Sequence, residues 1–349
     1  MNKPLQKNIS LLWVLLLAIL VLLFFIDIFI GSVYIPPAEI LSILTGDEPS
    51  QESWYHIITK FRLPRVITAI LAGSSLALAG LFMQTYFRNP LAGPFVLGIS
   101  SGSSLGVALL VLSGGMLGGV FAGLGTNQWI IMLAASAGAG LVLLLILIAS
   151  TRIKDSMTLL IIGLMFGSAT GAIVGILQFF SNAEEIQMFI LWTMGNLSSL
   201  SWPELHVFLI VFGVCVLLSF TLFKTLNSLL LGENYARSMG IPLKRTRFLI
   251  IAVTSLLAGC TTAFCGPIAF IGIAIPHIAR MLINTSQHKL LVPATIFSGA
   301  IILVLCDIIS QLPGSQNILP INAITSLMGA PVIIWVILRR KNYQKTFAG

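Results

Sequence analysis

The sequence predicts an all-α integral membrane protein with about ten transmembrane helices and both termini in the cytoplasm. Three observations lead there. Of 349 residues, 57% are hydrophobic and 9% are charged, with a mean hydropathy of +1.02. Soluble domains carry roughly a quarter charged residues, so this chain could not cover a water-facing surface. Its apolar runs recur at about the 20-residue length that crosses a bilayer as a helix, without the long alternation of a β-barrel. Its basic residues also gather in alternate connecting segments. The whole chain, 1–349, reads as one transmembrane domain.

Candidate spans lie near 11–31, 65–86, 95–112, 129–149, 157–180, 205–223, 248–265, 268–284, 290–310 and 321–338. The third, eighth and tenth are short or broken by Gly and Pro. The first run is too long for a signal-peptide core and no small-residue cleavage site follows it, so it is expected to remain as a span. With the N-terminus inside, the inner segments hold Lys3, Lys7, Arg88, Arg152, Lys154, Lys224, Arg237, Lys244, Arg245, Arg247, Arg280, Lys289, Arg339, Arg340, Lys341 and Lys345. These are 16 of the 19 basic residues, and only Lys60, Arg62 and Arg65 fall outside. Short loops rich in Lys and Arg stay in the cytoplasm, which sets the orientation. The outer segments carry Glu39, Asp47, Glu48, Glu52, Glu184, Glu185 and Glu204 instead.

In the first outer segment, IPPAEILSIL (35–44) has apolar residues at helical spacing and predicts a short interfacial helix. FRLPR (61–65) then places two arginines around a proline at the head of the second span. They are either snorkelling anchors or a docking site, and their rarity on this side favours docking. The second span ends in QTYFRNPLAGP (84–94), with a turn at Asn89-Pro90. Gly98, Gly102 and Gly106 follow at a spacing that lets helices approach closely. The fifth span carries Gly163, Gly167, Gly171 and Gly175 four residues apart. Such a stripe serves either tight packing or a wide pathway, and both readings stay open. The run 188–194 is too short to span and reads as a helix across the outer mouth.

The longest polar stretch is LGENYARSMGIPLKRTR, 231–247, between two apolar runs. Residues 233–239 allow about two helical turns, stopped at Gly240 with Ile241-Pro242 beyond. A short cytoplasmic helix is therefore predicted, set in a polar segment of about 225–247. Further on, Pro267, Gly272 and Pro276 interrupt the stretch 266–283, which needs protein or a watery cavity to satisfy its backbone. His277 reads as structural. Asp27 and Asp307 are the acids inside apolar runs, and such acids are functional candidates, although both lie near span ends.

No phosphate-binding loop, zinc-protease motif, nucleophile elbow or dinucleotide fingerprint occurs. Cys215, Cys260, Cys265 and Cys306 sit in apolar runs without metal-ligand spacing and read as packing residues. The net charge of +8 reflects basic loops rather than a nucleic-acid surface. No enzyme activity, cofactor or metal is expected of this chain.

Taken in order, FRLPR, AGSSLALAG with the following RNPLA, LGENYARSMG, GPIAFIGIAIPHIAR and TSLMGAP resemble the FecCD-type permeases. These are membrane subunits of type II ABC importers for iron–siderophores, haem or cobalamin, and the resemblance runs from about residue 10 to 340. It implies ten helices per subunit, a homodimer around a central pathway, two cytoplasmic ATPase subunits and a periplasmic binding protein. It places ATPase coupling on Leu231, Gly232, Glu233, Ala236, Met239, Gly240 and Arg247, and binding-protein docking on Arg62 and Arg65. It also makes the fifth span a pathway helix. The chain departs where relatives commonly carry Arg and then ELPVG, since it has Gln311, then Ile318-Leu319-Pro320-Ile321-Asn322. One outer docking charge is thereby missing. The rival reading is an ion-coupled secondary transporter, which should show ionisable groups at mid-membrane on broken helices.

Overall fold

The computed structural model describes residues 3–47, 50–112, 127–153, 155–311 and 318–338. Glu48, Lys154, Arg339, Arg340, Lys341 and Lys345, which entered the charge bias, lie outside the described residues, as do the side chains of Lys3 and Lys7. Among the described residues every regular element is a helix: α1 (Lys3–Phe29), α2 (Pro37–Thr45), α3 (Glu52–His56), α4 (Leu63–Tyr86), α5 (Ile99–Val111), α6 (Gln128–Arg152), α7 (Ser156–Phe180), α8 (Ala183–Thr193), α9 (Trp202–Leu230), α10 (Glu233–Ser238), α11 (Leu243–Cys265), α12 (Ile271–Ile283), α13 (His288–Ser310) and α14 (Ile321–Leu338). A π-helical turn, Ile57–Arg62, joins α3 to α4, and a 3₁₀ turn, Pro94–Leu97, precedes α5.

Seven of these helices are long and apolar enough to cross a membrane, and Ile99–Val111, Ile271–Ile283 and Ile321–Val336 are shorter apolar helices. The three shorter ones coincide with the spans expected to be short or broken. The predicted interfacial helix is α2, which starts after Pro36 and stops at left-handed Gly46. The short helix expected after the fifth span is α8, which begins with a reciprocal cap between Asn182 and Glu185.

Several boundaries differ from expectation, and two of the differences have a clear structural reason. The second span begins earlier than residue 65, because Glu52–Tyr86 forms one 35-residue helical stretch. Pro64 should interrupt it, since it lacks an N–H and its ring crowds the preceding turn. The π-helical turn just before it widens the ladder and absorbs that defect. The sixth span runs seven residues past 223, to Leu230. Its polar residue Asn227 is not a loop residue, because its Oδ1 accepts from the backbone N–H of His288 at 3.0 Å and lies 2.7 Å from the His288 ring. The other ring nitrogen of His288 lies 3.0 Å from Thr85 Oγ1, so this buried imidazole ties α13 to both α9 and α4.

The bundle is built round α4. In its span 89% of the most apolar window is buried, against 17% in α1. Glycines set the spacing of its neighbours. A Cβ on Gly73 would lie 2.2 Å from the Gly299 carbonyl oxygen of α13, and one on Gly80 would lie 1.7 Å from that of Gly272 in α12. The Gly272 oxygen is the one left without a helix partner by Pro276, four residues on. Gly272 and Pro276 therefore do not break the helix as expected. They sit inside α12 and let it press onto α4.

The true break is 266–270, where Gly266 and Phe270 both have positive φ. Its polar groups are met by side chains and by neighbouring backbone. Asn322 Oδ1 accepts from Ala269 N–H at 3.0 Å, the Asn322 backbone N–H donates to Met194 O, and its amide donates to Thr193 O. Asn196 N–H donates to Cys265 O and Ser199 Oγ donates to Phe264 O. Asn322 thus joins α8, the break and α14, and its departure from the usual motif has a structural use. Asn322→Leu should leave Ala269 N–H without a partner at a cost of about 1–3 kcal/mol. Thermal unfolding in detergent should show a lowered midpoint for Asn322→Leu and a smaller change for Asn322→Asp.

Candidate functional site

The polar segment between α9 and α11 is built round α10. Glu233 lies in its first turn, where a carboxylate favours the positive end of the helix. Its end is a Schellman motif: Ile241 N–H donates to Ala236 O at 3.1 Å and Gly240 N–H to Arg237 O at 3.0 Å. Gly240 has φ +77°, a conformation a side chain would strain, although open space surrounds it.

The seven residues assigned to coupling divide into two groups. Leu231 and Met239 are exposed, at 52% and 61%, and Tyr235 joins them at 46%. Positions 231, 235 and 239 stand four apart, so a helical reading of the segment could have found Tyr235. Ala236 is fully buried against the bundle. Glu233 and Arg247 face each other, with the Arg247 guanidinium 3.6 Å from the carboxylate. Arg247 also donates to Ser150 O at 3.3 Å and Ile153 O at 2.5 Å, and its guanidinium lies 6.0 Å from the Tyr86 ring centre. It therefore satisfies the last carbonyls of α6 while holding the start of α10 and the end of α4. Gly232, with φ +108°, makes the turn into α10, and its Cα side faces Arg88. Tyr86 and Arg88 were not foreseen, because they approach from a distant part of the chain.

At the opposite end of the bundle, Arg62 and Arg65 are turned inward. Arg62 is 8% exposed and donates to Ile28 O at 2.7 Å and Val33 O at 2.5 Å, so it caps the end of α1. Arg65 forms a two-point pair with Asp307, Nε to Oδ2 at 2.8 Å and Nη2 to Oδ1 at 2.7 Å, and also donates to Ser310 at 3.2 Å. Gln311 Nε2 donates to Asp27 Oδ1 at 2.7 Å. Asp27 and Asp307 thus belong to one buried polar cluster that links α1, α4 and α13. Arg62, Arg65, Gln311 and Ile318 also line a cavity of about 280 Å³ at this end.

The glycine stripe of α7 splits in two. A Cβ on Gly163 would lie 2.5 Å from Val96 O, so this glycine is a packing position, and Gly167 faces Ser101 Oγ at 3.3 Å. Gly171 and Gly175 are exposed and meet nothing within 4 Å. The stripe is therefore a packing surface at Gly163 and Gly167 and an open face at Gly171 and Gly175. The four cysteines are free thiols, three of them buried. Among the described residues no group of His, Cys, Asp and Glu is placed to hold a metal ion.

A bundle with seven helices long and apolar enough to cross a membrane, and a short helix set between two of them, has the architecture of a multi-pass membrane protein. The chain belongs to the FecCD transport family, whose model matches residues 19–339. It is 34% identical over 330 residues to the vitamin B12 import system permease protein BtuC of Photorhabdus laumondii, covering 94% of this chain and 93% of that protein. The BtuC of Klebsiella pneumoniae is 35% identical over 339 residues, covering 97% and 96%. A solved structure described as an inward-facing conformation of a metal-chelate type ABC transporter superposes with a TM-score of 0.81 at 28% identity, over 95% of this chain and 99% of that one. PsaBC of Streptococcus pneumoniae, solved with a Fab, shares the fold at 19% identity, with a TM-score of 0.56 over 88% of this chain.

The division of the α10 segment gives opposite expectations for two variants. Met239→Asp should leave the unfolding midpoint unchanged and weaken any partner that seats on α10, read by co-purification. Arg247→Met should lower the midpoint by removing the donor to two partly buried carbonyls, at about 1 kcal/mol. At the other end, Asp307→Ala should cost about 3–5 kcal/mol by leaving Arg65 buried without its counter-charge. Asp307→Glu should recover part of that loss in the same unfolding measurement.

Proposed function

We propose that this chain is the permease subunit of an ATP-driven importer for a metal chelate. Two copies would enclose the pathway, each crossing a bacterial inner membrane ten times with both termini in the cytoplasm. The observation that carries this reading is the match to import-system permeases over nearly the whole chain, together with the exposed α10 surface. Ten crossings follow if the three shorter apolar helices are counted with the seven long ones. The orientation rests on the bias of basic residues toward the α10 side.

In this reading Leu231, Tyr235 and Met239 would seat one of two ATPase subunits in the cytoplasm. Glu233 and Arg247 would transmit its motion to α4 and α6, because their pair connects the ends of those helices to α10. ATP chemistry would belong to the partner. Gly171 and Gly175 on the exposed face of α7 would leave width for the cargo. A periplasmic binding protein would dock at the opposite end. Since Arg62 and Arg65 are already bonded inside the bundle, an acidic residue of that protein would have to reach into the cavity they line.

The cargo is proposed as cobalamin, by the printed function of the relatives, with ferric siderophore and haem as the other members of the class. An ion-coupled transporter is the alternative. Asp27 and Asp307 are its acidic candidates away from the first turn of a described span, and both are held by partners at one end of the bundle, while the buried Glu204 sits in the first turn of α9 and caps it through Ser201.

The test is uptake into proteoliposomes holding this chain with an ATPase subunit and a binding protein encoded beside it. Labelled cobalamin, ferric siderophore and haem would be offered in parallel. ATP-dependent uptake of one cargo is expected, with loss of uptake but not of folding in Met239→Asp. Uptake driven by a proton or sodium gradient without ATP would establish the alternative.

A further inference from the structure

A cavity of about 430 Å³ opens between the last turn of α6 and the first two turns of α11. It lies apart from the exposed face of α10. Leu147, Phe248 and Leu249 form its apolar walls, and Lys244 and Arg245 stand at its rim. Arg247 also borders it but is committed to the carbonyls of Ser150 and Ile153. Lys244 and Arg245 are exposed, and among the described residues no hydrogen bond or ion pair engages either side chain. The nearby acids are Glu233, which faces Arg247, and Asp155, which caps the start of α7 through Thr158 N–H at 2.7 Å. Arg152 adds a further positive charge at the end of α6.

We infer that this cavity binds an anionic phospholipid. The argument rests on charge and apolarity lying side by side at one depth. Leu147 and Phe248 belong to helices long enough to cross a membrane, and Lys244 and Arg245 stand where one of those helices leaves it. Only an amphiphile satisfies both parts: its phosphate meets the two free cations and its acyl chain lies along Leu147 and Phe248. Basic pockets between transmembrane helices are suited to such headgroups. A soluble partner would present a hydrated surface to these apolar walls, and α10 offers such a partner a separate contact through Leu231, Tyr235 and Met239. The inference requires only that α6 and α11 cross a bilayer, and it stands whether or not the transport reading does.

The test is native mass spectrometry of the purified full chain with cardiolipin, phosphatidylglycerol, phosphatidylcholine or inorganic phosphate added. Cardiolipin and phosphatidylglycerol should be retained in preference to phosphatidylcholine, and phosphate should not displace them. Lys244→Gln with Arg245→Gln should weaken retention by about fivefold per side chain. If that variant does not fold, Leu147→Trp, which fills the apolar wall and keeps both charges, should also reduce retention. Equal retention of phosphatidylcholine, displacement by inorganic phosphate, or unchanged retention in both variants would overturn the inference. So would a double variant that keeps its lipids and instead fails to assemble with the ATPase subunit.

Discussion

A bilayer offers a peptide group nothing to bond with, so each place where a helix ends or breaks near hydrocarbon must be completed by the protein itself. Arg62, Arg247 and Asn322 are among the side chains that carry that task here. Arg62 takes the last carbonyls of α1, Arg247 takes those of α6, and Asn322 serves the interruption between α11 and α12. Each lies far along the chain from the groups it serves, so the same bonds that complete the backbone also fix which helices are neighbours. An arginine suits the two helix ends because its fork can meet two carbonyls and its charge opposes the negative end of the helix dipole.

The close packing round α4 depends on this arrangement. α12 can press its backbone onto Gly80 only because the unbonded Gly272 oxygen has no side chain in its way. The short distances that result leave α4 almost wholly enclosed, while α1, α6, α7 and α9 keep apolar side chains exposed at the edge of the bundle. Such an exposed apolar perimeter is what lipid, or a second copy of the chain, covers.

Much of this was legible in the amino-acid order. The apolar runs located every long helix, Gly240-Ile241-Pro242 marked the end of α10, and Gly46 closed the helix begun by the two prolines at 36 and 37. The direction in which charged side chains point was not legible. The residues flanking Arg65 suggest an outward charge, yet its partner Asp307 is 242 positions away. Local pattern carries no trace of such a pair. Gln311 and Asn322 looked like losses from a familiar motif, and each proved to hold a specific partner, Asp27 for the one and the Ala269 N–H for the other. The glycine stripe of α7 is uniform in sequence, and only its neighbours divide it into a packed half and an open half.

The Asp27–Gln311 and Arg65–Asp307 contacts bear on where this molecule can bend. Pulling α1 or α13 away from α4 at that end would strand charges in a medium that solvates them poorly, and it would open the interlocked surfaces at Gly73 and Gly299. These three helices therefore form one stiff block. α7 takes part in no such buried polar cluster, and a side chain at Gly171 or Gly175 would meet open space. A displacement of α7 at its open half would break none of the bonds that hold the α1–α4–α13 block together.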